Sequence, residues 1–353
     1  MADTLQDPPE VLSRIEGGLG RLTLNRPQAL HALNRGMIEL LTAALLAWRD
    51  DPAVRLVLID HTGERGFCAG GDIRALAASA REGGRDAQAF FLAEYRLNHL
   101  LAVYPKPVVT VMDGITMGGG VGLSLPARYR IATEHTTFAM PETGIGLFPD
   151  VGGGWWLSRL PGETGLWLAL TGARIKAADC LALGLATDFV QSASLPAFTA
   201  ALARDPDAVE TLLTEFEADP GPSPAAARRA EIDHLFAGDS LEAILARLAA
   251  DPSPFAVDAL KTLNAKSPQT LAVALRELRT GAGLSDFADE MRMEYRIASR
   301  VILRPDFCEG VRAVIVDKDN APKWNPPAVA GVTPALLDAI FAPLPAGEEW
   351  TPL

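Results

Sequence analysis

The chain has 353 residues, of which 48% are hydrophobic and 22% are charged, and its formal net charge is −12. This composition excludes a disordered chain, and the acidic excess argues against nucleic acid or an anionic membrane surface as a partner. The length predicts either one large domain with an appendage or two domains. We therefore expect a globular protein with a small-molecule partner, and local donors must hold that molecule if it is anionic.

The N-terminal segment and the metal-binding residue types add further expectations. Residues 1–9 (MADTLQDPP) show neither a secretion signal nor an arginine-rich organelle presequence, so we expect a cytoplasmic protein. The 3 cysteines are widely spaced and the 5 histidines are isolated, which predicts neither a disulfide framework nor a metal site. We expect no metal ion and no cofactor.

The first half of the chain alternates strand-like runs with helix-like stretches. Short runs of aliphatic and β-branched residues predict strands at residues 20–25, 54–60, 108–113, 129–133 and 136–140. Helical patterns lie between them, at residues 37–48, 72–80 and 89–103. This order predicts an α/β fold with crossover connections.

Helical patterns dominate the second half. Residues 205–224, rich in proline and aspartate, form the best boundary, and residues 271–303 predict one or two helices with alternating charge. A proline-rich tail closes the chain.

Two glycine clusters lie where a predicted strand leads into a helical pattern. They are residues 66–74 (GFCAGGDIR) and 114–122 (GITMGGGVG). The first N–H groups of a helix are unpaired, and glycine lets a ligand oxygen approach them, so two such ends facing each other would form a two-donor oxyanion hole. The alternative is that these glycines serve only tight turns or close packing. Neither cluster has a P-loop or dinucleotide-binding pattern.

Two acids, Glu142 and Asp150, lie in a segment of glycine, proline and apolar residues (140–154, MPETGIGLFPDVGGG). Apolar surroundings disfavour the charged form of a carboxyl group, and two nearby carboxyls push their pKa values apart. One acid could then act as a base while the other holds water or substrate. The alternatives are a surface or salt-bridged Glu142 and an Asp150 that caps the following turn.

With these motifs the sequence resembles the crotonase (enoyl-CoA hydratase/isomerase) superfamily. The matching segments are residues 24–34 (LNRPQALHALN), 67–73 (FCAGGDI), 113–120 (DGITMGGG), 138–142 (FAMPE) and 146–149 (GLFP). The resemblance implies an α/β fold: a crotonase-like spiral of ββα units, followed by a helical C-terminal region that mediates assembly into a homo-oligomer, a trimer or a dimer of trimers. Pro126 falls inside the helix expected to begin near Gly119, so that helix must be short or kinked.

The resemblance also implies a division of the chain and a set of ligand contacts. The division is an N-terminal extension (1–14), a core with an acyl-CoA site (15–204), a helical region for assembly and active-site cover (205–330) and a tail (331–353). Gly71 and Gly119 would donate their N–H groups to the thioester carbonyl of an acyl-CoA. Asp72, Ile73 and Arg74 would lie beside the adenine and pantetheine of CoA.

Two departures from the hydratase pattern bear on the reaction. Hydratases carry a glutamate where this chain has Gly122, and they usually carry glycine where it has Asp150. These features resemble the 3-hydroxyisobutyryl-CoA hydrolase branch, as do residues 91–98 (FLAEYRLN), 293–297 (MEYRI) and 306–319 (DFCEGVRAVIVDKD).

The branch implies hydrolysis of 3-hydroxyisobutyryl-CoA, a step of valine catabolism. Glu142 would act as general base or direct nucleophile and Asp150 as its partner, while Glu94 matches an acid that contacts the substrate. The alternatives are an enoyl-CoA hydratase or isomerase, and a non-catalytic acyl-CoA-binding or scaffold protein.

Overall fold

The structure, a computed structural model, describes residues 9–353. Its strands all lie in the first 189 residues and alternate with helices, as the sequence predicts. The strands are β1 Val11–Glu16, β2 Leu19–Leu24, β3 Leu56–His61, β4 Val108–Met112, β5 Ile115–Met117, β6 Tyr129–Ala132, β7 Thr137–Ala139 and β8 Asp188–Phe189.

Six of these strands form one sheet in the order β1-β2-β3-β4-β6-β8, and β5 pairs with β7 in a second, two-stranded sheet. Only the β1–β2 pair is antiparallel; the other pairs are parallel and need crossover connections. The predicted strands are present within two residues of their expected ends. The three strands without a sequence prediction, β1, β5 and β8, are at an edge or only two to three residues long.

Helices fill the rest of the fold. They are α1 Arg35–Arg49, α2 Ile73–Arg81, α3 Arg85–Ala102, α4 Gly119–Ser124, α5 Gly153–Leu157, α6 Thr164–Thr171, α7 Ala177–Ala182, α8 Leu195–Arg204, α9 Val209–Phe216, α10 Pro224–Ala227, α11 Arg229–Phe236, α12 Leu241–Ala250, α13 Pro254–Ala265, α14 Pro268–Gly281, α15 Phe287–Val301, α16 Pro305–Val311 and α17 Pro334–Phe341. A π-helical turn, Arg312–Val316, follows α16. Helix α4 ends two residues before Pro126, which confirms the short helix that this proline requires.

Side-chain alternation along the strands buries both faces of the large sheet. In β3, Val57 and Ile59 belong to the main core, whereas Leu56 and Leu58 face a second cluster that includes Phe198 of α8. Successive side chains of a strand point to opposite faces, so this alternation requires cover on both sides. No helix between residues 9 and 353 is both long and apolar enough to cross a lipid bilayer.

Two features of the local sequence place the elements around the site. The Asn34 side chain accepts a 2.9 Å hydrogen bond from Met37 N and so caps α1. Most of the predicted apolar stripe of α1 is buried, but Leu40 is exposed. The region predicted as one or two helices at 271–303 forms two, α14 and α15, with Ser267 and Asp286 as their N-caps.

Candidate active site

The two glycine clusters lie side by side. Cys68 N donates a 3.0 Å hydrogen bond to Ile115 O, and Met117 N donates a 2.9 Å bond to Cys68 O. A Cβ atom added to Gly119 would lie 3.4 Å from the carbonyl carbon of Gly70. The backbone pairing therefore brings Gly71 and Gly119 to the wall of one cavity.

Neither glycine N–H group bonds to a backbone acceptor in the described part of the chain. Gly119 is the first residue of α4, so its N–H group has no partner within the helix. Within residues 9–353, the Gly71 N–H group makes no backbone hydrogen bond. Two unpaired backbone donors on one wall are what an oxyanion hole requires.

Two carboxyl groups approach the second glycine segment closely. A Cβ atom on Gly118 would lie 3.2 Å from Glu142 Oε1, and one on Gly119 would lie 2.6 Å from Glu94 Oε1. Gly118 also has a φ of +48°, which side chains rarely adopt. Glycine at these positions thus lets both acids reach the site.

Glu142 and Glu94 are buried with an unpartnered oxygen each. Glu142 begins the 3₁₀ turn Glu142–Ile145, shortly after β7, and Glu94 lies in the middle of α3. Their exposures are 5% and 2%, and Glu142 Oε2 and Glu94 Oε1 accept no hydrogen bond from the described residues. The burial of Glu142 excludes the alternative that it is a surface residue. A substrate or a water molecule could bond to the two unpartnered oxygens.

Asp150 is held by a tyrosine. Its carboxyl is 4% exposed, and the Tyr95 hydroxyl donates a 2.8 Å hydrogen bond to Asp150 Oδ2. Tyr95 follows Glu94 on α3, so one helix places an acid and the donor that holds another acid. The sequence motif FLAEYRLN contains Tyr95, yet its pattern did not indicate this role.

The acids of the site interact electrostatically. Burial raises the pKa of Glu142 well above its usual range, and the nearby negative charge of Asp150 raises it further. Burial raises the pKa of Asp150 to about 7, while the hydrogen bond from Tyr95 opposes that rise. The pKa of Glu94 is also raised, first by burial and then by the charges of Asp150 and Glu142. Near neutral pH the Glu142–Asp150 pair therefore holds at least one proton.

The cavity has a volume of about 760 Å³ and contains most of the predicted site residues. Gly71, Gly119, Glu94, Glu142 and Asp150 line it, and so does Ile73. Asp72 and Arg74 do not. Asp72 caps α2 and forms an ion pair with Arg26 at 3.0 Å, and Arg74 donates a 3.0 Å hydrogen bond to Ile315 O.

Cationic side chains line another part of the cavity wall. They are Arg174, Lys261 of α13 and Lys266, with one acid, Asp258, among them. Lys266 lies near Glu142, whose charge opposes the lowering of the Lys266 pKa by burial. These cations offer local donors for an anionic ligand in a protein whose net charge is −12. No motif in the sequence indicated them.

Gly122 lies where there is no room for a side chain. A Cβ atom there would be 2.6 Å from both Asn98 Nδ2 and Val151 Cβ. Such distances are far below van der Waals contact, so the glutamate that hydratases carry at this position does not fit the present packing.

A second group of acids lies behind Asp150. Glu277, Glu290 and Glu294 can each place one carboxyl oxygen within 4.8 Å of the others, and all three are buried. Oxygen ligands of this kind suit a hard cation. However, Gly152 N donates to both oxygens of Glu294, at 3.0 and 2.9 Å, so these lone pairs are directed toward an N–H group.

Comparison with known proteins places the fold and the site in context. The family model described as enoyl-CoA hydratase/isomerase matches residues 19–341. The 3-hydroxyisobutyryl-CoA hydrolase of Xenopus tropicalis is 44% identical over 350 residues, covering 97% of this chain and 90% of that protein. The human protein of the same name is 41% identical over 344 residues, covering 95% of this chain and 89% of the human one.

Solved structures confirm the fold. A carnitinyl-CoA dehydratase from Mycobacterium thermoresistibile has a TM-score of 0.93 and 43% identity, covering 98% of this chain and 99% of its own. An enoyl-CoA hydratase from Rhodobacter sphaeroides has a TM-score of 0.90 and 42% identity, covering 97% and 99%. The crotonase-like spiral predicted from the motifs is therefore correct.

One prediction is wrong by this comparison. The frog and human relatives are both named as mitochondrial enzymes, which contradicts the cytoplasmic location expected from residues 1–9. That expectation depended on residues 1–9 alone, and residues 1–8 lie outside the described residues. The fold and the site do not indicate the subcellular location of the protein.

Proposed function

The chain belongs to the enoyl-CoA hydratase/isomerase family, and we propose that it hydrolyses 3-hydroxyisobutyryl-CoA to 3-hydroxyisobutyrate and CoA. The observation that carries this proposal is the arrangement of two buried acids, Glu142 and Asp150, in one cavity beside Gly119, together with the filled space at Gly122. The names of the curated relatives support the same reaction.

Hydration of an enoyl-CoA is the second candidate, because the two similar solved structures are named as a dehydratase and a hydratase. Water addition in that family uses a second glutamate at the position of Gly122. Here Asn98 and Val151 occupy the space that its side chain would need. The carboxyl pair Glu142 and Asp150 supports thioester cleavage instead.

The first requirement of hydrolysis is stabilisation of the negative oxygen formed at the thioester carbonyl. The N–H groups of Gly71 and Gly119 would donate to that oxygen. Loss of one such donor typically lowers kcat by about 10²- to 10³-fold. Arg174 and Lys261 would bind the phosphates of CoA, and the free Glu94 oxygen would accept a hydrogen bond from the 3-hydroxyl group.

The second requirement is an activated nucleophile and a proton for the leaving thiolate. Burial and the charge of Asp150 favour the proton of the pair on Glu142. In the reactive form this proton has passed to Asp150, and Glu142 is ionised next to Lys266. In one route Glu142 takes a proton from water as the hydroxide attacks the carbonyl carbon. The C–S bond then breaks, and Asp150 gives its proton to the sulfur of CoA.

In the other route the Glu142 oxygen itself attacks the carbonyl carbon and forms a mixed anhydride. Asp150 again protonates the departing thiolate. The resulting Asp150 carboxylate then removes a proton from the water that cleaves the anhydride. Both routes release the acid and free CoA and return one proton to the pair.

A substrate panel tests the proposal. The protein is incubated with 3-hydroxyisobutyryl-CoA, 3-hydroxypropionyl-CoA, acetyl-CoA and crotonyl-CoA, with a thiol-reactive dye and the enoyl absorbance followed in parallel. Free thiol appearing fastest with the 3-hydroxyacyl substrates supports the hydrolase. Loss of enoyl absorbance without thiol release would assign hydration, and no turnover of any substrate would assign a binding protein.

A further inference from the structure

The buried acids behind Asp150 are not used by the mechanism above. Glu277 lies on α14, and Glu290 and Glu294 lie one turn apart on α15. Each has an exposure of 0%, and no oxygen of Glu277 or Glu290 accepts a hydrogen bond within residues 9–353. Burying carboxyl groups together is unfavourable, so the arrangement calls for a function.

Glu294 differs from the other two because it holds the backbone. Both of its oxygens accept from Gly152 N, two residues after Asp150. A buried N–H group that lost this acceptor would be left unpaired, which is costly.

The backbone at the turn that Glu294 contacts is strained. Val151, between Asp150 and Gly152, has a φ of +56°, and a β-branched residue in this left-handed region is strained. Such strain persists only where the surroundings enforce it, and it is often found at functional sites.

Small residues let the acids approach this turn. A Cβ atom on Gly154 would lie 2.1 Å from Glu290 Oε1, and one on Gly281 would lie 2.6 Å from Gly154 O. Only glycine permits this close packing of α14 and α15 against residues 150–154. The two helices behind the turn thus explain the glycine at position 154.

The same helix also contacts the tyrosine that holds Asp150. Tyr295 packs edge-on against Tyr95, with 6.5 Å between the ring centroids. Helix α15 therefore supports both the turn that carries Asp150 and the donor that binds its carboxyl.

We propose that Glu294 is a positioning residue for the hydrolysis: its carboxyl fixes the turn at Val151 and Gly152 and thereby the direction of the Asp150 side chain. The inference rests on the proposed function, since it assigns Glu294 a part in that reaction. Glu277 and Glu290 lie beside Glu294, but neither accepts a hydrogen bond from the turn.

Two substitutions of Glu294 separate the effect of its side-chain length from the effect of its charge. Glu294→Gln keeps an oxygen at the same distance from Gly152 N and removes the charge, whereas Glu294→Asp keeps the carboxyl group and shortens its reach by one methylene. Glu277→Gln and Glu277→Asp are matched controls, because Glu277 is equally buried in the same cluster but accepts no hydrogen bond from Gly152 N.

We expect Glu294→Asp to lower kcat by about 100-fold with KM changed less than about threefold, since a displacement of about 1 Å can cost this much. Glu294→Gln is expected to retain kcat within about tenfold, and both Glu277 variants within about threefold. The proposal would be overturned if kcat fell equally in Glu294→Asp and Glu277→Asp, or if it fell more in Glu294→Gln than in Glu294→Asp.

Amide hydrogen exchange of the peptide covering residues 150–154 gives a readout that needs no substrate. Faster exchange in Glu294→Asp than in Glu277→Asp, in variants with the same unfolding midpoint, supports the positioning role. Unchanged exchange would refute it. If the wild-type protein released no thiol from any acyl-CoA, the proposed function would fail while this measurement still decided whether Glu294 holds the turn.

Discussion

The Tyr95 hydroxyl donates a 2.8 Å hydrogen bond to Asp150 Oδ2, and both side chains are buried in the cavity region. This bond favours the ionised form of Asp150 and so lowers its pKa. Burial has the opposite and larger effect, and the pKa of Asp150 is raised to about 7. The protonation of the Glu142–Asp150 pair is therefore set in part by a residue of α3.

Replacement of this tyrosine should move the pH profile. In Tyr95→Phe the donor is lost, so the pKa of Asp150 rises. If activity needs the pair to have lost its first proton, kcat/KM increases through about pH 7 in the wild type. The acid limb of the variant should then lie at higher pH.

The control is Tyr104→Phe, since the Tyr104 hydroxyl bonds to Leu45 O, away from Asp150. Thiol release measured between pH 5.5 and 9 checks the prediction. An acid limb that moves to lower pH in Tyr95→Phe, or moves equally in both variants, would contradict it.

The packing at Gly122 predicts that a hydratase cannot be made by one substitution. Gly122→Ala should destabilise the fold by about 1–3 kcal/mol, because its Cβ atom would overlap Asn98 and Val151. Gly122→Glu should not acquire hydratase activity, so the enoyl absorbance of crotonyl-CoA should not fall. Gly283→Ala, whose Cβ would lie 3.5 Å from Thr280 O, should change the free energy of unfolding by less than about 0.5 kcal/mol.

The free energy of unfolding should fall as the pH rises from 6.5 to 8. Burial raises the pKa of Glu290 to about 8 in the folded protein, so in this range the folded state binds a proton that the unfolded state has released. Stability then decreases by about 1.4 kcal/mol per pH unit for each such proton.

Glu290→Gln should reduce this slope, which urea unfolding at pH 6.5, 7.25 and 8 can measure. Asp289→Asn on the same helix is the control, because Asp289 is half exposed and pairs with Arg292. A slope unchanged in Glu290→Gln would mean that Glu290 is ionised in the folded protein across this range.

The C-terminal tail is predicted to stabilise α3. Trp350 has an exposure of 0% and packs edge-on against His99, with ring centroids 5.4 Å apart. Trp350→Ala should therefore lower the free energy of unfolding by about 3–5 kcal/mol. Leu353→Ala, at an exposed position, should change it by less than about 0.5 kcal/mol.

How much the sequence could predict depends on the kind of signal. The period of apolar residues indicated α1, β3 and β4, because helices and strands bury regular faces. The glycine clusters and the two acids indicated the site, because motifs fix residue types at fixed spacing. The structure brings Gly71, Gly119, Glu142 and Asp150 to one cavity.

The remaining features depend on contacts between distant parts of the chain. Alternating charge in residues 271–303 ordinarily indicates an exposed face, yet Glu277, Glu290 and Glu294 are buried against residues 150–154. Lys266 lies 3.0 Å from a Cβ atom placed on Gly144, more than 100 residues earlier. No local pattern reports such a contact.

The rate of thiol release from 3-hydroxyisobutyryl-CoA by Glu142→Gln tests the central claim most directly. Glutamine keeps the shape of the side chain but can act neither as base nor as nucleophile in this reaction. We expect kcat to fall by about 10²- to 10⁴-fold, with the free energy of unfolding changed by less than about 1 kcal/mol. Glu39→Gln, at an exposed position on α1, should retain wild-type activity. Thiol release at the wild-type rate in folded Glu142→Gln would contradict the assignment of Glu142 as the group that attacks or activates water.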